Sequence, residues 1–314
     1  MRVATGVVIV SYGHPDDTLR CLAALERSED LDLLPVVIHN GPEDDDYDRL
    51  RRAGDGRVEV IASGDNLGYA GGSNLGVRRL LKHDLDQIWL LNPDAIVAPD
   101  TLGRLRTVLA EEPRTGIVGP RILFPGPEQE IWFDGGFVNR EFGRTRHRHY
   151  RQPAAAHPPK RVSADYVTGA ALLARRQVFE QLGPLPEGYF LYYEETEWCL
   201  RAAAAGWAVR VEQNATMVHD KRSSDVLPAP YFLYYMIRNR ARFAVTLDVD
   251  PEVALTDIQQ RWVANWRGKI EEHAPAWLPD FERLVGRALD DARAGVTGRV
   301  DDITTYPRPE ASNA

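Results

Sequence analysis

Short apolar runs alternate with stretches of helical period over residues 1–120. Residues 3–10, 35–40, 57–62 and 87–91 read as strands, and residues 15–27, 47–53, 71–82 and 99–112 as helices. Alternation of this kind predicts a largely parallel sheet covered by helices on both faces. Ligands of such sheets bind outside the carboxyl ends of the strands. Ser11-Tyr12-Gly13, His39-Asn40-Gly41, Asp65-Asn66 and Asn92-Pro93-Asp94 each follow a strand, so four polar turns are expected along one edge.

Beyond residue 116 the pattern changes. Shorter strand-like pieces at 119–124, 131–138 and 166–174 predict that the sheet becomes mixed. Residues 140–161 carry six arginines and Lys160 with little apolar periodicity, and a mobile basic loop is expected there. A helix is expected over 194–205, where acids open the segment, alanines fill it and Gly206 stands where a helix-ending glycine belongs. Residues 231–247, 251–272 and 279–292 have helical period and predict a C-terminal helical subdomain.

Composition narrows the class. With 314 residues, 44% hydrophobic and 27% charged, the chain has the make-up of a globular protein with room for a core and one appended subdomain. A net charge of −8 disfavours binding by counterion release, so no nucleic-acid partner is expected. Cys21 and Cys199, the two cysteines, are too few for a disulfide framework or a thiolate zinc site and fit helix core positions. The N-terminus enters an apolar strand without a signal-peptide pattern, and no apolar stretch approaches the ~18 residues of a membrane span. A cytoplasmic location is expected.

Four groups of residues carry candidate chemistry. Asp94 closes the strand 87–91, and a carboxylate there suits Mg²⁺ or Mn²⁺, which take one or two carboxylates plus substrate phosphates. Asn92-Pro93-Asp94 also serves as a plain turn signal. The glycines between Asn66 and Asn74 either bring backbone amides to a nucleotide or permit tight packing, and the two bracketing asparagines favour the nucleotide. Glu194, Glu195 and Glu197 open a helix, where the macrodipole stabilises carboxylates whatever their function; one of them in the cleft would act as a general base. His219, which follows a strand-like piece at 208–212 and a polar turn, gains meaning as a partner for Asp94.

Taken together and in this order, Val7-Val-Ile-Val-Ser-Tyr12, residues 66–74, Leu90-Leu-Asn-Pro-Asp94, Gly169-Ala170, residues 190–201 and Tyr235-Met-Ile-Arg-Asn239 resemble glycosyltransferase family 2, in its rhamnosyltransferase-like branch. The resemblance implies an α/β chain of GT-A fold, a Rossmann-like and mostly parallel sheet that binds a nucleoside-diphosphate sugar. A catalytic domain would span 1–225, with a nucleotide-binding half to 120 and an acceptor half holding the mobile loop 140–161. A helical subdomain at 226–300 and a disordered tail at 301–314 would follow.

The same resemblance implies roles. Ser11, Tyr12 and Asn40 meet the donor's base and ribose, while Asn66, Gly68, Gly71 and Asn74 lie along the nucleotide. Asp94 matches the last acid of the family's Asp-x-Asp motif, which binds Mg²⁺ or Mn²⁺ on the diphosphate, with Asn92 in place of the first acid. His219 matches a histidine that completes the metal site in some relatives. Glu195 matches the catalytic base, with Glu for the family's Asp, which keeps Glu194 as a substitute; Glu197 and Trp198 flank the acceptor end. The implied reaction moves a hexose, rhamnose first, from a dTDP- or UDP-linked donor to a glycan, lipid-linked or small-molecule acceptor, with inversion. A homodimer and a peripheral membrane contact through the aromatic, basic helix at 231–243 stay open. A non-catalytic nucleotide-sugar binding module is the main alternative. A sugar-nucleotide nucleotidyltransferase is the other, although residues 7–15 lack the basic, glycine-rich cluster that would hold a triphosphate.

Overall fold

Val7, Val8 and Ile9 are sealed from solvent at the centre of a strand that has neighbours on both sides, as a run of apolar, mostly β-branched residues requires. That strand, β1 (Thr5–Ser11), opens the computed structural model, which describes residues 4–29, 32–220 and 227–305. It is followed by α1 (Pro15–Glu26), β2 (Leu33–His39), α2 (Asp45–Gly54), β3 (Glu59–Ala62), α3 (Gly68–Leu80), β4 (Gln87–Leu91), β5 (Ala95–Val97) and α4 (Thr101–Glu111). Then come β6 (Thr115–Leu123), β7 (Ile131–Phe133), β8 (Gly136–Asn139), β9 (Arg144–His147), β10 (Arg161–Ser163), β11 (Ala171–Arg175), α5 (Arg176–Leu182), α6 (Glu194–Ala204) and β12 (Ala208–His219). Helices α7 (Pro230–Val245), α8 (Pro251–Asp257), α9 (Ala264–His273) and α10 (Leu278–Arg293) complete the order.

The main sheet runs β10-β12-β6-β11-β4-β1-β2-β3, with β5 on β12 and β7 on β6. Strands β1 to β4 pair in parallel, as do β6 and β12. Strand β11 is antiparallel to both β4 and β6 and joins the two parallel groups, so the carboxyl ends of β1, β2, β4, β6 and β12 share one edge. This is the mixed, mostly parallel α/β sheet expected.

Three expectations need correction. Helix α3 starts at Gly68 rather than 71, so the supposed glycine loop is mostly helix. Its glycines are there for packing: a Cβ on Gly72 would stand 2.7 Å from Val10, and one on Gly76 would stand 2.4 Å from Val8. The strand expected at 208–212 continues through a bulge to His219, which delivers that histidine to the edge. The segment 140–161, expected as a mobile loop, carries β9, the start of β10 and a 3₁₀ turn. Arg161 there binds Glu111, Glu112 and Glu212, Arg151 binds Glu130, and His149 binds the buried Asp134.

The chain divides into two compact units: Met1–Phe137, Arg146–Pro186 and Glu194–Lys221 form the first; Val138–Thr145, Glu187–Tyr193 and the chain from 222 onward form the second. The second unit therefore takes in two stretches assigned by sequence to the acceptor half, and the boundary expected near 225 falls outside the described residues. Its helices enclose a core that includes Leu233, Tyr234, Ile237, Phe281 and Leu284. Helix α7 thus buries its apolar face within its own unit. Of the tail expected to be disordered, Asp301–Thr305 forms a 3₁₀ turn with Ile303 buried, and 306–314 lie outside the described residues. Among the described residues no helix is long and apolar enough to cross a membrane.

Candidate active site

The end of β4 and the end of β12 bring two of the predicted residues together. Asp94 Oδ1 lies 3.0 Å from His219 Nε2, and the Asn92 amide nitrogen lies 3.4 Å from the same ring nitrogen. Pairing of Ala95 with His219 in the β5–β12 ladder, and the bond from the Asp220 N–H to the Asp94 carbonyl, fix this approach through the backbone. The imidazole is buried, its Nδ1 has no hydrogen-bond partner, and the Trp132 ring meets it edge to face at 4.6 Å. Among the described residues no cluster of three or more His, Cys, Asp or Glu could hold a metal on its own. One carboxylate and one imidazole at an open edge do fit a cation that completes its shell with water and substrate phosphate oxygens.

The first turn of α6 carries the acids. Glu194 is buried with Oε2 unpartnered, and burial, with the charge of Glu195 beside it, pushes its carboxyl well above the ordinary glutamate value. Glu195 is partly exposed; its Oε1 accepts from the Gly169 N–H at 3.4 Å, and its Oε2 is buried without a partner. Burial raises its pKa too, while the backbone N–H groups of Glu195, Gly169 and Thr196 pull the other way. The turn that supplies Gly169 also touches β4: the Asn92 N–H donates to the Ala170 carbonyl at 3.0 Å. The strand end bearing Asp94 and the helix start bearing the acid pair thus share one short turn.

Other predicted residues occupy the same edge with their polar atoms consumed. Asn40, 3% exposed, donates from Nδ2 to Asn66 Oδ1 and to the Gly68 carbonyl, and its Oδ1 accepts from the Leu67 N–H. Asn66 Oδ1 also accepts from the Gly68 N–H at 3.0 Å. These two asparagines hold the loop after β3, and the amide atoms of Asn40 are spent there. Asn74 is clamped to the Leu185 backbone by two bonds of 2.9 Å, and Gly71 packs on Leu67. The Ser11 hydroxyl accepts from Thr18, whereas Tyr12 is 60% exposed beyond β1 and free to stack on a planar base. Trp198 is sealed, donates to the Gly183 carbonyl and packs on Phe179, so it is a core residue and does not flank an acceptor; Glu197 is partly exposed.

Sequence reasoning passed over Tyr69, His147 and Trp132. The Tyr69 hydroxyl donates to the Gly169 carbonyl at 2.7 Å. His147 donates from Nδ1 to the Trp132 carbonyl, 2.8 Å away, and burial lowers its pKa to about 4, so it stays neutral behind the ring that packs on His219. The signal for Tyr69 was its place among the glycines between Asn66 and Asn74.

A mixed sheet with polar turns at one edge, a carboxylate at a strand end and a second carboxylate across a shared turn fits a GT-A glycosyltransferase fold. Residues 6–183, more than half of the chain, match the model of glycosyl transferase family 2, and the chain belongs to that family. It is 27% identical over 290 residues to the low-salt glycan biosynthesis hexosyltransferase Agl10 of Haloferax volcanii, covering 86% of this chain and 87% of that one. It is 26% identical over 237 residues to the N-acetylglucosaminyl-diphospho-decaprenol L-rhamnosyltransferase of Mycobacterium tuberculosis, covering 69% and 76%. The fold is shared with the mannosyltransferase PcManGT of Pyrobaculum calidifontis, solved with GDP-mannose and Mn²⁺, at a TM-score of 0.55 and 14% identity over 97% of this chain and 78% of that one. The chain is accordingly an enzyme that transfers a sugar from a nucleotide-sugar donor.

Proposed function

We propose that this enzyme is a divalent-cation-dependent, inverting transferase that moves a sugar, rhamnose in the first instance, from a dTDP- or UDP-linked donor to an acceptor hydroxyl. The observation that carries the proposal is the turn 168–171, whose Ala170 carbonyl is bonded by Asn92 and whose Gly169 N–H is bonded to Glu195. It ties the strand end bearing Asp94 to the helix start bearing Glu195. The rhamnosyl preference rests on the likeness to a named L-rhamnosyltransferase.

In the proposed reaction Glu195 Oε2 takes the acceptor hydroxyl's proton as its oxygen bonds to the anomeric carbon. The bond from that carbon to the nucleoside diphosphate breaks on the opposite face, its electron pair staying with the phosphate oxygen, and the configuration inverts. Glu195 is the base rather than Glu194, because three backbone N–H groups favour its anion while burial and the neighbouring charge disfavour that of Glu194. Asp94 and His219 would hold Mg²⁺ or Mn²⁺, which supplies charge neutralisation to the departing diphosphate. Tyr12 would cover the base.

The test is the thermal midpoint with dTDP, UDP, GDP and their sugars, with and without Mn²⁺, since a ligand of the native state alone adds about 2.7 kcal/mol at a hundred times its Kd. A Mn²⁺-dependent rise with dTDP or UDP that disappears in Asp94→Ala is expected. A folded protein that shifts with no nucleotide would leave the non-catalytic module.

A further inference from the structure

The turn that feeds Glu195 is gripped from three sides, and one grip has no role in the chemistry described above. Tyr69, in the first turn of α3, donates its hydroxyl to the Gly169 carbonyl at 2.7 Å; Asn92 donates to the Ala170 carbonyl; the Cys199 thiol approaches the Val167 carbonyl at 3.8 Å. The ring comes so close that a Cβ on Gly169 would stand 2.6 Å from the hydroxyl oxygen and 2.7 Å from the ring carbon that bears it. Only glycine leaves room for this approach. On the amide side of the same residue, the Gly169 N–H points to Glu195 Oε1.

We propose that Tyr69 is a positioning residue for the base: by holding the Gly169 carbonyl, its hydroxyl fixes that residue within the turn so that the Gly169 N–H, in the preceding peptide unit, is delivered to one oxygen of Glu195, leaving the other oxygen for the acceptor. This deepens the reading of Glu195 as base and rests on it. A hydroxyl buried against the acid pair would otherwise have been a liability, since burial and the charges of Glu195 and Glu194 drive its own pKa well above the ordinary tyrosine value. Tyr69 therefore stays a donor throughout the working pH range, as a fixed positioning group must. The groups that face Glu195 from the elements around it are Tyr69 on α3 and, on its own helix, Glu194 and Cys199, whose thiol burial pushes up to about 12. Tyr69 and Cys199 stay neutral, and of the backbone N–H groups that favour the Glu195 anion the Gly169 N–H belongs to the residue that Tyr69 holds.

The experiment compares pH profiles of kcat for wild type, Tyr69→Phe and Glu195→Gln, with nucleotide-induced thermal shifts to show that each variant is folded and binds donor. Tyr69→Phe should lower kcat about tenfold with the donor KM unchanged. Its acid limb should move up by about half a unit to one unit, because the carboxylate has lost part of the hydrogen bonding that stabilised its charge. If Glu195→Gln is inactive but Tyr69→Phe keeps the wild-type acid limb, the positioning role is overturned and the base assignment stands. If Glu195→Gln retains turnover, the base assignment is overturned, and the positioning role with it. A Tyr69→Phe enzyme that melts earlier but titrates as wild type would make the hydroxyl a structural bond only.

Discussion

Two sets of polar residues stand at the carboxyl edge of the sheet, and they differ in how their atoms are spent. Asn40, Asn66 and Asn74 give their amide atoms to backbone groups or to one another. Glu194 and Glu195 each keep a buried, unpartnered oxygen, and His219 keeps a buried, unpartnered Nδ1. Buried polar groups are normally satisfied, because leaving one unmade costs about 1–3 kcal/mol. The first set therefore contributes stability to the fold, while the second carries a cost that a substrate or cation can relieve. Residues of similar polarity, placed after strands in similar turns, do opposite things.

The difference is sharpest at Glu195. Replacing it with glutamine keeps the shape and the bond from Gly169 but removes the proton acceptor. We expect kcat to fall about a thousandfold, within the range of general-base contributions, while the donor still raises the thermal midpoint. Product formation measured beside that thermal shift separates lost chemistry from lost binding. Retained turnover would place the asparagine and carboxylate sets in the same structural class.

The alternating pattern of the first 120 residues was legible because its central strands, β1 and β4, are short apolar runs buried on both faces, while helices such as α1 and α4 bury one stripe. Asp94 and His219 were legible too, as a strand-end acid and a histidine in search of it. Residues 68–70 were misread as loop because glycines favour loops in isolation, and the contacts of Gly72 and Gly76 with β1 show why the helix accepts its glycines. The basic segment could not be read, since Arg161 finds its partners Glu111, Glu112 and Glu212 far away in the sequence. Trp198 was misplaced for a simpler reason. Next to the acids in sequence, it falls with Cys199 and Ala202 on the buried side of α6.

A smaller effect tests the satisfied set. Asn74→Ala removes both bonds to Leu185 and leaves a buried N–H and carbonyl without partners. The cost should be about 2–4 kcal/mol, or a fall of roughly 5–10 °C in the thermal midpoint, with the donor KM of the folded enzyme unchanged. A raised KM at unchanged stability would instead make Asn74 a ligand residue.

The smallest effect runs in the stabilising direction and concerns Glu194. Burial places its folded-state pKa well above the ordinary value of 4.5, which the unfolded chain keeps. As pH rises through that ordinary value the unfolded state releases the proton while the folded state retains it, so the unfolded state binds fewer protons and stability falls. The contribution of this group is thus fully present below pH 4.5 and is lost progressively up to the raised pKa, the reverse of a salt-bridged carboxylate. Glutamine has no proton to lose. Glu194→Gln should therefore match wild type in thermal midpoint near pH 4 and exceed it at pH 7.5, the gap opening across the interval between. A variant less stable than wild type at pH 7.5 would show that Glu194 is ionised in the fold, and the unpartnered oxygen would then belong to a charged group poised, like Glu195, to take a proton.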